Sequence, residues 1–84
     1  MAAEFKIKIT RISHCKKYCE LVESFHFTGY IKSGREIIEK DDILRIIENC
    51  LFKEVQFVVY TCTDKELVSI QNFLAHSGLI HNQI

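Results

Sequence analysis

Proline is missing from this 84-residue sequence and glycine occurs only three times. No proline-rich linker, internal repeat or low-complexity stretch divides the chain, which reads as one uninterrupted domain over 1–84. Net charge is missing too, because 11 Lys and Arg balance 11 Asp and Glu. A chain without a net field has nothing to hold a polyanion by counterion release, so no nucleic acid partner is expected. The same balance predicts poor solubility near neutral pH. Long apolar runs are absent as well. The longest, residues 55–60 with Gln56 inside it, is far short of the roughly 20 residues that span a bilayer. Lys6 and Lys8 interrupt Phe5, Ile7 and Ile9, so no signal-peptide core is expected, and the expected location is cytoplasmic without membrane insertion.

What is present suffices for one core. Hydrophobic residues make up 48% of the chain, well inside the globular range and far from the profile of disorder. Four cysteines stand at 15, 19, 50 and 62. In a secreted miniprotein that even count suggests two disulfides, but without a secretion signal reduced thiols are expected, each a small core residue.

Residues 5–10 alternate apolar and polar with period two, which predicts a strand with one face buried. Ser13 is a suitable N-cap for a helix over 14–24 that places Cys15, Tyr18, Cys19 and Val22 on one stripe. Residues 27–32 and 35–39 are β-formers joined through Ser33-Gly34, the spacing of a tight hairpin. Asp41 and Asp42 then precede a short amphipathic helix carrying Ile43, Leu44, Ile46, Ile47, Cys50 and Leu51. A β-rich run from Val55 to Cys62 leads into the capping box Thr63-Asp64-Lys65-Glu66 and a third helix ending near Gly78. Residues 79–84 are expected to fray or pack loosely.

The order β-α-β-β-α-β-α predicts an α+β open-faced sandwich, a four-stranded antiparallel sheet covered on one face by three helices. Two arrangements fit it, a ferredoxin-like core with an added helix and that of the phosphocarrier HPr. The segment Ser33-Gly34-Arg35-Glu36-Ile37-Ile38-Glu39-Lys40-Asp41-Asp42-Ile43-Leu44 resembles the HPr family segment in which a glycine turn, a basic residue and a strand lead to a helix start. Arg11-Ile12-Ser13-His14-Cys15-Lys16-Lys17 lies between the first strand and first helix, where that family carries its phosphorylated histidine.

The resemblance implies a histidine-containing phosphocarrier of the phosphotransferase system type. His14 falls on the phosphoacceptor, with Ser13, Cys15, Lys16 and Lys17 around the phosphate, and Asp42 falls on the regulatory serine. Its partners would be an enzyme I-like phosphodonor and a sugar-permease subunit, with no cofactor and no catalytic machinery of its own. Chemically, phosphoryl transfer through a loose transition state needs an in-line neutral imidazole and donors for three oxygens. A helix N-terminus supplies such donors, although lysine does not reproduce the bidentate fork of arginine. The sequence departs from the family at the glycine before its histidine and the proline after it, where Ile12 with Ser13 and Lys17 stand instead. The alternative is therefore a non-catalytic interaction or regulatory module on the same scaffold, in which His14 is a surface residue at a helix start and Asp42 simply a cap. A third reading is a ferredoxin-like regulatory domain that binds a small ligand or dimerises through its sheet.

Other chemistries are thinner. His14, Cys15 and Cys19 lack the second ligand pair that structural zinc sites use, so no metal is expected. A cysteine nucleophile at Cys15 rests only on its place near a helix start beside His14, Lys16 and Lys17. His26, His76 and His81 have no partners at a recognisable spacing and read as surface residues.

Overall fold

The computed structural model describes residues 2–60 and 63–80. Its elements are β1 (Ala2–Lys8), α1 (Ile12–Ser24), β2 (Thr28–Ser33), β3 (Glu36–Glu39), α2 (Ile43–Cys50), β4 (Glu54–Tyr60) and α3 (Asp64–Ser77). The four strands form one sheet in the order β1-β4-β2-β3, and every neighbouring pair is antiparallel. It follows that β1 runs parallel to β2, and β3 to β4. Parallel strands need a long crossover, and α1 and α2 supply the two. Each crossover straddles one intervening strand, β4 in the first case and β2 in the second. In the ferredoxin-like order β1 and β3 lie inside the sheet; here they are its edges, which excludes that arrangement. The architecture is the expected open-faced α+β sandwich.

Period two decides which face is covered. Ile7, Val55, Phe57, Val59, Ile31 and Ile38 point to the helices and are buried with Tyr18, Leu21, Ile46, Ile70 and Leu74. Their sequence neighbours Glu4, Lys6, Lys8, Lys32 and Glu54 are exposed on the other face. Tyr18 stacks edge-on against Phe57 and places its hydroxyl 2.7 Å from the Lys40 carbonyl, to which it donates. Burial of that aromatic body with its polar tip satisfied ties α1 to the segment between β3 and α2.

Local signals hold at several boundaries. Gly34 has φ +61 while Arg35 does not share a positive φ, so the two-residue hairpin loop between Ser33 and Glu36 is of the type with glycine first. The hydroxyl of Thr63 accepts from the Glu66 amide at 3.1 Å, and Gly78 ends α3 in the left-handed region at φ +83.

Other boundaries differ from expectation. The first strand begins at Ala2 and ends at Lys8, leaving Ile9 in a single parallel bridge to Leu51. Helix α1 starts at Ile12 with Arg11 as its cap residue, so Ser13 lies within the first turn and does not cap. Cys50 is fully buried as expected, whereas Cys15 and Cys19 are only half-buried at the margin of the stripe centred on Tyr18 and Leu21. Leu79 does not fray. Its side chain is fully buried and its carbonyl accepts from the Lys8 amide at 2.9 Å. Cys62 and His81 lie outside the described residues.

Candidate functional site

The loop after β1 and the loop after α2 are tied together. Ile9 bridges Leu51, and the carbonyl of Ile9 accepts from the amide of Phe52 at 2.9 Å. This knot brings the start of α1 against the end of α2. Between them lies a cleft of about 340 Å³ lined by Thr10, Arg11, Ile12, Cys15, Ile47, Leu51 and Phe52.

The cleft is apolar and its rim is exposed. Ile12 is 78% exposed and Phe52 69%, and outside the lining, on α2, Leu44 is 76% exposed, values that place large apolar side chains in water without any core to serve. The reason is the patterning of α2. Ile43, Ile46 and Cys50 face the core and Leu51, just past the helix, packs partly against it, while Leu44 and Ile47 stand exposed at helical spacing on the adjoining surface. The apolar stripe is thus wider than packing on the sheet requires. Phe52 adds a second anomaly. Its φ is +62, a left-handed conformation that costs an aromatic residue about 1–2 kcal/mol, and Phe52 alone among the described non-glycine residues adopts a positive φ.

His14 sits on the first turn of α1 but faces inward. It is 8% exposed, in place of the surface position that its neighbours suggested. The backbone amide of Thr10 donates to its Nδ1 at 3.1 Å, and the Thr10 hydroxyl is 3.4 Å from the same nitrogen. An amide can only donate, so Nδ1 is here an acceptor and carries no proton. The other side of the ring meets Gly78, where an added Cβ would stand 3.3 Å from Nε2. The histidine side chain thus binds the loop amide just ahead of the cap residue Arg11, whose own side chain makes no capping bond.

The other residues named by the phosphocarrier resemblance are dispersed around this point. Ser13, Lys16 and Lys17 are exposed on α1, and the Lys17 ammonium is 3.5 Å from the Glu20 carboxylate. Cys15 turns into the apolar cleft. Asp42 caps α2, its carboxylate accepting from the Arg45 amide at a long 3.5 Å, while Arg45 donates to Glu36 at 2.8 Å. Burial pushes the Cys50 and Cys19 thiols above their ordinary range. Among the described residues no three His, Cys, Asp or Glu side chains cluster closely enough to hold a metal ion.

The exposed stripe on α2 was legible in principle, because residues 43–51 carry apolar side chains on two adjoining faces where one suffices. The left-handed Phe52 had no such signal. No protein-family model matches the chain, and no curated protein matches it in sequence.

Proposed function

We propose that this chain is a non-catalytic protein-interaction module on an HPr-like scaffold, which receives an apolar anchor of a partner protein in the cleft between α1 and α2. One observation carries the reading: Ile12, Ile47 and Phe52 stand exposed around a single apolar cleft. Contiguous exposed apolar surface rimmed by polar residues marks interaction sites. Arg11, exposed in the lining of the cleft, favours a partner whose anchor is flanked by acidic residues. A photo-crosslinking residue placed at Phe52 or Ile47 in cells is expected to capture one discrete partner, and the same residue at Val68, exposed on α3, is not. Equal capture at all three positions, or none, rejects the reading.

Phosphoryl transfer through His14 has one feature in its favour, the position of the ring at the N-terminus of α1. In-line attack from Nδ1 requires the imidazole to leave the Thr10 amide and turn outward, exposing a residue that is now buried. Incubation with phosphoenolpyruvate and enzyme I is expected to give no acid-labile phosphate. Label that disappears in His14→Ala establishes the phosphocarrier reading in place of the one proposed.

A further inference from the structure

The sheet has two edges, β1 and β3, and they differ in kind. β3 is four residues long, and its charged residues Glu36 and Glu39 are both acidic. β1 is seven residues long and alternates in sign, with Glu4 followed by Lys6. The Lys8 amide donates to the Leu79 carbonyl, so it points away from β4. In an antiparallel ladder that direction recurs at every second residue. The backbone groups of Ala2, Glu4 and Lys6 therefore face outward too, and among the described residues only Leu79 bonds to this edge, at its Lys8 end.

We propose that β1 pairs antiparallel with β1 of a second copy of this chain, about a two-fold axis at Phe5, so that Glu4 of each copy lies opposite Lys6 of the other. Two sheets then join into one. The outward-facing residues Glu4 and Lys6 form the hydrogen-bonded pairs, and Phe5 meets Phe5 of the second copy at a non-hydrogen-bonded position, the closer of the two kinds. Phe5 is half-buried at the edge of the core, so the contact covers apolar surface left over by the monomer.

Charge selects the register. Moving the axis to Glu4 sets Glu4 against Glu4, and moving it to Lys6 sets Lys6 against Lys6. Like charges directly opposite one another destabilise a strand pair, whereas opposite charges support it. Charged residues usually protect an edge from pairing. On β3 uniform acidity does so, but on β1 the alternation of sign makes the edge complementary to itself. Leu79 limits the length of the ladder, and the two-fold pairing uses up the β1 edge of both copies, so the association is a closed dimer that does not grow.

The test is sedimentation velocity on the full chain at up to about 0.5 mM, a range suited to an interface of this small size. The wild type is expected to move from monomer to dimer as concentration rises. Glu4→Lys and Lys6→Glu are each expected to weaken dimerisation by about tenfold or more, since two attractive pairs become repulsive. An equimolar mixture of these two variants is expected to dimerise again, because lysines of one copy then face glutamates of the other. Lys6→Pro removes an outward amide that the monomer's ladder does not use, so it is expected to stay folded by circular dichroism and monomeric. A wild type that remains monomeric throughout overturns the proposal. So does a dimer that survives Glu4→Lys but is lost in Phe52→Asp, which would place the contact at the cleft.

Discussion

The amide of Thr10 and Nδ1 of His14, 3.1 Å apart, close the start of α1 from within. The first amides of a helix lack intrahelical partners, and those just before it compete for the same acceptors. A side chain three residues into the helix that reaches back to a preceding amide is the logic of a capping box, performed here by an imidazole. The ring is also a packing element, held between this loop and Gly78. One residue thus couples the β1–α1 connection to the end of α3.

His14 variants are expected to separate these roles. His14→Asn places an amide oxygen as many bonds from Cβ as Nδ1 and keeps the acceptor for Thr10, while His14→Gln carries its oxygen one bond too far. Asparagine is expected to cost about 1 kcal/mol and glutamine or alanine about 2 kcal/mol in urea unfolding, the excess being an amide left without its acceptor. Equal losses for asparagine and glutamine refute the acceptor role.

Gly78 carries two constraints at once, φ +83 and the His14 ring against its α-carbon. Gly78→Ala is expected to lower stability by about 1–2 kcal/mol from the left-handed backbone, with crowding of the ring added. In the His14→Ala background the crowding vanishes and the backbone cost remains. A double-mutant cycle with no coupling between the two positions rejects the contact.

The sequence made the elements legible because each had an independent physical mark: period two in residues 5–9, a glycine turn at Ser33-Gly34, Asp42 and Thr63 at helix starts, Gly78 at a helix end. The start of α1 was misread for a physical reason. Ser13 has the better intrinsic capping chemistry, but the bridge between Ile9 and Leu51 fixes the loop earlier and lets His14 serve from inside. Nor did local chemistry reveal the burial of Leu79, which depends on the free edge of β1, a feature set only once strand order is known. The candidate site was half visible: the surplus apolar face of α2 is in the pattern, and its meeting with Ile12 is a product of topology.

Alkaline pH is expected to unfold the protein through Tyr18. Burial, with smaller contributions from Cys50, Cys19 and Asp41, raises its hydroxyl far above the ordinary value. Below about pH 10 folded and unfolded chains both keep the proton, so the residue adds no pH dependence. Above it the unfolded chain ionises first and stability falls as pH rises. Cys50, shifted in the same direction by burial, starts a shallower decline at lower pH. Tyr18→Phe is expected to flatten the steep part of the curve while losing about 1 kcal/mol at neutral pH with the bond to Lys40. An unchanged alkaline slope in that variant rules Tyr18 out as its source.

Phe52 offers the sharpest distinction between a side chain kept for the fold and one kept for a partner. Its ring is 69% exposed, so little burial is lost on removing it, while its φ of +62 is unfavourable for any residue with a Cβ. Phe52→Gly keeps the amide that donates to the Ile9 carbonyl and relieves the backbone. The greater freedom of glycine in the unfolded state offsets part of that gain, leaving an expected stabilisation of about 0.5–1 kcal/mol. A residue that weakens its own fold persists where it serves another contact, a trade familiar from binding surfaces. If Phe52→Gly raises the melting temperature and abolishes capture of the partner crosslinked at Ile47, the strain belongs to docking. If it lowers stability, Phe52 is a packing residue and the cleft loses its main claim to a partner.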